Sequence, residues 1–226
     1  MRKLVLCSDQ QVGVSDELDA KLLELLCETK GKIGIIPSET DRNLRYFKRT
    51  SGHYEDLGFN NFMHFDAGHE FDASLIPQLL KCDAIHLSGG ETAPFLMNLK
   101  NQGMLSILNK YVQNGGVLIG VSAGAMLMCA SIDICNAVAD ENTKIQNAKK
   151  KGKDAPKAKA KSGLALNLVP FEFFPHYENS EFINQQIQIY VNAVRRTVVA
   201  SDDSQGVVVL GDEIILVGEP TVFVPK

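Results

Sequence analysis

No part of this 226-residue sequence approaches the ~20 consecutive apolar residues that carry a helix across a bilayer, so no transmembrane segment is expected. Its five cysteines, Cys7, Cys27, Cys82, Cys129 and Cys135, are odd in number and contain no Cys-x-x-Cys pair. That argues against a disulfide framework and a zinc site, and for reduced thiols in a cytoplasmic protein. No other cluster of His, Cys and carboxylate has ligand spacing, so neither a metal nor an organic cofactor is expected. Positive charge is not in excess: 23 Lys and Arg face 27 Asp and Glu, a net charge of −4. Nothing in the overall charge suits nucleic acid or an anionic membrane as partner. Met1-Arg2-Lys3 runs directly into Leu4-Val5-Leu6-Cys7, an apolar run too short for a signal peptide and better read as a first strand. No internal repeat is visible. The expectation is a cytoplasmic monomer or homodimer with a small-molecule partner.

Apolar residues make up 45% of the chain, enough for one sizeable core and a single domain over 1–226. Short apolar runs at 3–7, 32–37, 62–65, 84–88 and 117–121 read as strands, several of them apolar throughout, as strands covered on both faces are. Helical spacing fills the intervals at 16–29, 43–57, 73–81 and 92–103, and on to 114. This alternation predicts an α/β fold, a mostly parallel sheet with helices on both faces. Beyond it, 164–169 and 171–174 are apolar, 181–194 is an amphipathic helix, and 198–199, 206–210, 213–217 and 221–224 are short strands. The last three, punctuated by Gly211-Asp212 and Gly218 to Pro220, are expected to close the fold as antiparallel neighbours. One segment departs from the pattern. Residues 144–161 hold eight lysines and one acid, a local charge of +7 that leaves −11 on the rest. It reads as a solvated surface insertion at about 142–163.

The residues richest in chemistry are Gly120-Val121-Ser122-Ala123-Gly124, where an apolar strand meets a predicted helix over 123–130. G-x-S-x-G in that context is a nucleophile elbow, so tight that a side chain at either glycine would collide with it. Ser122 is then the candidate nucleophile, and the N–H of Ala123 faces the place where an oxyanion would form. A serine hydroxyl needs a base. Of the five histidines, His86 lies inside a strand pattern, His53 and His69 in polar, glycine-containing loops, and His64 also before the elbow. His176 follows Phe173-Phe174-Pro175 at the end of an apolar strand, where open α/β sheets present their sites. A second backbone-exposed turn, Gly89-Gly90-Glu91-Thr92, follows strand 84–88; it has no lysine in P-loop spacing and suits an oxyanion donor or substrate contact better than a phosphate.

Taken in order, the Ser38-Glu39-Thr40 stretch, the Leu87 to Thr92 turn, the elbow, and the run from Leu166 to Phe174-Pro175-His176-Tyr177 resemble the dipeptidase E family. These aspartyl dipeptidase-like serine peptidases also include cyanophycinase, on a fold like that of class I glutamine amidotransferases and flavodoxin. The resemblance implies a serine peptidase of small peptides, with Ser122 as nucleophile, His176 as base, and an oxyanion hole from Ala123 and Gly90. It places the third triad member within Ser201-Asp202-Asp203-Ser204-Gln205; Asp203, Gln205 and Asp202, in that order, are the candidates, Gln205 standing where some relatives have Glu. Substrate contacts are expected from Gly89, Glu91, Thr92 and Tyr177, with Glu91 suited to a free α-ammonium group. The arginine that follows the histidine in aspartyl dipeptidases is missing: 177–192 contains no Arg or Lys. Two alternatives share this scaffold. One is an amidotransferase-like amide hydrolase, with Cys129 two turns from the elbow. The other is a binding domain that lost its acid, the reading that Gln205 keeps open.

Overall fold

The computed structural model describes residues 1–26, 31–138 and 164–226; the lysine-rich segment lies outside the described residues. Five strands form a parallel array: β1 (Lys3–Cys7), β2 (Ile33–Ile36), β3 (Phe62–His64), β4 (Ala84–Leu87) and β5 (Val117–Val121). The order across the sheet is β3-β2-β4-β5-β1, followed by β8 (Gly206–Leu210) and β9 (Glu213–Val217), both added antiparallel to their neighbour.

Strand residues alternate between two cores. Leu4, Leu6 and Leu118 face a cluster shared with Phe95 and Leu99 of α4 (Thr92–Asn101) and Leu108 and Val112 of α5 (Met104–Gln113), while Val5, Cys7 and Ile119 face Leu18 and Leu22 of α1 (Asp16–Leu26) and Tyr54 of α2 (Arg45–Asp56). Helices therefore cover both faces, which is why the central strands carry almost no polar side chains. Because β1, β2, β4 and β5 run the same way, the turns that follow them, with Ser8, Ser38, Ser88 and Ser122 in their first or second position, all emerge at one edge of the sheet. No helix among the described residues is long and apolar enough to cross a membrane.

Three expectations need correction. The predicted helix 73–81 is a 3-10 turn, Ala73–Leu75, followed by one turn of helix, α3 (Ile76–Leu79). Pro77 sits in that first turn, where its missing N–H has no carbonyl to serve. The helix after the elbow, α6, spans only Ala123–Met126. Its continuation is intercepted by the returning chain: Leu166, Asn167 and Leu168 donate backbone N–H groups to the carbonyls of Leu127, Cys129 and Met128 at 2.8–2.9 Å. A continuing helix would have used those carbonyls, and the apolar run 164–169 takes them instead.

The third correction concerns the closing strands. β10 (Thr221–Phe223) does not pair with β9; it joins a separate three-stranded sheet in the order β10-β7-β6. There β7 (Val198–Ala200) runs parallel to β6 (Glu172–Phe174) and antiparallel to β10. The turn between β9 and β10 holds Gly218 at φ 74° and Glu219 at φ 59°, a left-handed pair that swings the chain off the large sheet. The small sheet packs with α7 (Ile134–Ala137) and α8 (Glu181–Val194) through Ile134, Ile187, Val191 and Val198.

At the elbow, a Cβ on Gly124 would lie 2.0 Å from the Leu87 carbonyl oxygen, and one on Gly120 would lie 2.5 Å from the Gly124 carbonyl carbon. Both neighbours are backbone and cannot yield. Gly124→Ala is expected to lose about 2 kcal/mol or more of stability, the upper range for overpacking. Gly52→Ala, in α2 with open space around its Cβ, is expected to gain about 0.5–1 kcal/mol. Urea denaturation of the two variants beside the parent protein checks the pair.

Candidate active site

Ser122 occupies the bend between β5 and α6 with φ 50° and ψ −108°. Such a backbone state costs about 1–3 kcal/mol and persists only where its surroundings enforce it. Here the Ser122 N–H is tied to the Cys7 carbonyl at 2.9 Å, and its own carbonyl accepts the first helical bond, from Met126 at 3.0 Å. The bend leaves the side chain at the carboxyl edge of the sheet, where Ser122 Oγ lies 2.9 Å from His176 Nε2.

His176 stands just beyond β6. The β6–β7 ladder continues on either side of it: Ser201 N–H donates to the Phe174 carbonyl and Tyr177 N–H to the Ser201 carbonyl, both at 2.9 Å. His176 itself is extruded from the ladder with φ 53°. Its Nδ1 lies 2.6 Å from Asp203 Oδ1. A proton on Nδ1, facing the carboxylate, leaves the Nε2 lone pair for the serine hydroxyl. Both His176 and Asp203 are about half exposed.

The structure separates the three candidates for the acid. Gln205 does not reach His176; its Oε1 accepts the Asp202 N–H at 3.0 Å and its Nε2 donates to the Glu219 carbonyl at 3.4 Å. Asp202 is turned the other way, accepting from the N–H and hydroxyl of Ser204 at 2.9 and 2.7 Å. Together they shape the turn, and Asp203 projects from it toward the imidazole.

Sequence reasoning missed Ser8. Fully buried at the end of β1, its Oγ accepts the His176 N–H at 2.7 Å and donates to Asp203 Oδ1 at 3.3 Å, while its own N–H donates to the Gln205 carbonyl at 3.2 Å. One hydroxyl thus joins three distant segments, a use the donor-plus-acceptor character of serine permits. The available signal was a polar residue directly after an apolar strand at the sheet's carboxyl edge.

The other predicted residues divide. Gly89 is in van der Waals reach of Ser122, its Cβ position 3.5 Å from that of the serine, and Gly90, at φ 134°, presses on Ser38 where a Cβ would meet Oγ at 2.1 Å. Ala123 opens α6 beside them, so the backbone of both turns borders the Ser122 hydroxyl. Glu91 is exposed at the start of α4 with no capping side-chain bond. Thr92 points away, its hydroxyl 3.9 Å from Met126 Sδ. Tyr177 is buried edge-on to Phe223, its hydroxyl between the side chains of Asn179 and Asn184. None of these last three lines the cleft, of about 320 Å³, that Ser122 and His176 share with Gly89 and Gly90.

Two other histidines reach that cleft, and neither was expected there. His53 belongs to α2 rather than a loop, buried with Nε2 3.0 Å from Asp19 Oδ1. His86 is buried against the Tyr54 hydroxyl at 2.9 Å, and burial, with His53 nearby, pushes its imidazole down to about 3, so it stays neutral. Burial also pushes the Cys129 thiol well up while its sulfur accepts the Phe173 N–H at 3.1 Å, a structural thiol rather than a nucleophile. Among the described residues no group of three or more His, Cys, Asp or Glu could hold a metal ion.

Glu172, in the strand that leads to His176, is 1% exposed, with Oε1 3.7 Å from Arg196 Nη1 and Oε2 unpartnered among the described residues. Burial raises its carboxyl from 4.5 to about 7 against the opposing pull of Arg196. The folded chain therefore keeps this proton at pH values where the unfolded chain has released it. Stability falls as pH rises from about 4.5 to 7, and the penalty is complete above that. Glu172→Gln is expected to remove this slope and to be more stable than the parent above pH 7 by about 2–3 kcal/mol; denaturant midpoints across pH 4–8 measure it.

Comparison with known proteins agrees with this architecture. The chain is 30% identical over 156 residues to a peptidase E of Nostoc sp. strain PCC 7120, an alignment covering 68% of this chain and 55% of that protein. It spans about half the length, or less, of the curated relatives it matches first. A crystal structure of a candidate peptidase E protein from Listeria monocytogenes EGD-e superposes with a TM-score of 0.69 at 23% identity, over 96% of this chain and 98% of the other. That of a peptidase from an acI-B1 Actinobacterium does so with a TM-score of 0.67 at 14% identity, over 99% and 97%; these two likenesses concern the fold. The model of peptidase family S51 matches residues 4–217, a span that holds Ser8, Ser122, His176 and Asp203, and the chain belongs to that family.

Proposed function

We propose that this protein is a serine peptidase of small peptides, working through an acyl-enzyme. The observation that carries the reading is the unbroken relay from Asp203 Oδ1 to His176 at 2.6 Å and from His176 to Ser122 Oγ at 2.9 Å, on a serine held in an elbow conformation. Ser122 Oγ attacks the scissile carbonyl as His176 Nε2 takes its proton, and the same imidazole returns that proton to the leaving amine. Asp203 fixes the tautomer and balances the imidazolium charge. The N–H groups of Ala123 and Gly90 receive the oxyanion, each such donor being worth roughly 3 kcal/mol of barrier in comparable sites. Water, activated by His176 in its turn, releases the acyl group. A cytoplasmic location is part of the proposal, supported by buried thiols at Cys7, Cys82 and Cys129 that form no disulfide.

Ser122→Ala is expected to abolish both peptide turnover and labelling by a serine-directed phosphonate. Asp203→Asn should lower kcat by about 10⁴-fold with little change in KM, since it presents the wrong group to Nδ1. Gln205→Ala should leave kcat within tenfold, and Ser8→Ala should fall between the two. Steady-state kinetics on dipeptides measures the series; a Gln205 variant as impaired as the Asp203 variant would overturn the assignment of the acid.

A further inference from the structure

The cleft beside Ser122 has a second wall that the relay does not use. It is one face of α2: Tyr46, Arg49, Thr50 and His53 fall at i, i+3, i+4 and i+7 and line the same space as Ser122. Arg49 is exposed, and among the described residues no carboxylate lies within ion-pair distance of its guanidinium. Asp9, which follows Ser8 at the end of β1, lines the cleft too. Its carboxylate accepts only neutral local donors, the Gln10 N–H at 2.8 Å and the Gln11 side-chain amide, and no described cation pairs with it.

Two opposite charges thus face one small cleft without neutralising each other. Ser88 and Gln10 border the same space; Ser88 Oγ is buried and has no hydrogen-bond partner among the described residues, while the Gln10 side chain lies against the Tyr54 hydroxyl. A buried hydroxyl left unpaired is costly, so a ligand's polar group reaching Ser88 would be favoured there.

We infer that this cleft reads both ends of a short zwitterionic peptide: Arg49 takes the terminal α-carboxylate, Asp9 the α-ammonium group, and Ser88 the polar backbone between them. The inference rests on the peptidase reading and narrows its substrate class to peptides with both termini free. In an extended dipeptide those charges stand on the order of 7 Å apart, a scale that a cleft of about 320 Å³ holds. Recognition of this kind measures peptide length and is indifferent to a negative first side chain, consistent with the absence of Arg and Lys from 177–192. It also moves the ammonium contact from Glu91, which lies outside the cleft lining, to Asp9.

The test uses dipeptides with Asp, Ala, Leu or Lys in first place, each as free acid, C-terminal amide and N-acetyl derivative. In the parent protein, amidation and acetylation should each raise KM tenfold or more, the range for losing a charge-assisted hydrogen bond. Arg49→Gln should raise KM for the free acid to that of the amide and abolish the difference between them; Asp9→Asn should do the same for acetylation. Arg49→Lys should restore part of the discrimination, and Lys48→Gln, off the stripe, should change nothing. Equal turnover of acid and amide by the parent protein, or an Arg49→Gln loss that is the same for both, would overturn the proposal. Calorimetry on Ser122→Ala separates this from the peptidase reading. If no peptide is turned over yet the free dipeptides bind tenfold tighter than their amides, the zwitterion site stands and the peptidase reading falls. Binding without that preference, or no binding of any of the peptides, sinks the zwitterion site.

Discussion

At Gly124 the chain passes the end of β4 so closely that not even a methyl group fits between them. That crossing is the constraint on which the rest of the molecule turns. It forces β5 into α6 through a single bend, and the bend imposes the left-handed backbone of Ser122. The same closeness brings Gly89 against the serine and aligns two turns of backbone around one oxygen. The parallel sheet provides the rigidity: β5 is hydrogen-bonded to β4 on one side and β1 on the other, so the bend cannot relax sideways. Strain at the elbow is offset by packing in the two cores beneath it.

The fold was legible because its signals were local and repeated. Unbroken apolar strands, helical spacing and glycine stops agreed with one another, and five strands fell within a residue or two of where the pattern put them. The errors came where tertiary competition overrode local preference. The stretch after Met126 has the composition of a helix, yet the segment 165–168 claims its carbonyls from a site some forty residues later in the chain. The departure of β10 from the hairpin depends on a left-handed Glu219, a conformation no propensity favours.

The site was legible to the extent that chemistry sits in a motif. G-x-S-x-G pointed to Ser122 and a strand end to His176, and the fold brings those two side chains to 2.9 Å. Asp203 and Gln205 could not be separated along the sequence, because a turn decides which of several neighbouring side chains faces the imidazole. Ser8 and the wall formed by α2 carried no motif at all. Serine after a strand and arginine on a polar helix are common, and only the register of β1 beside β5 and the position of α2 over the sheet bring them to Ser122.

The small sheet has a consequence in time. Ribosomal synthesis proceeds from the amino end, and the parallel array with its elbow is complete in sequence by residue 126. β6, which carries the proposed base, finds its partner only when β7 emerges, and β10 follows more than twenty residues after that. Asp203 arrives in the same late interval. During synthesis Ser122 is therefore made many residues before His176 and Asp203, the two groups that complete its relay. The Ser122–His176–Asp203 relay can assemble only once the small sheet has closed beside the parallel array, so its geometry depends on the last-made part of the fold.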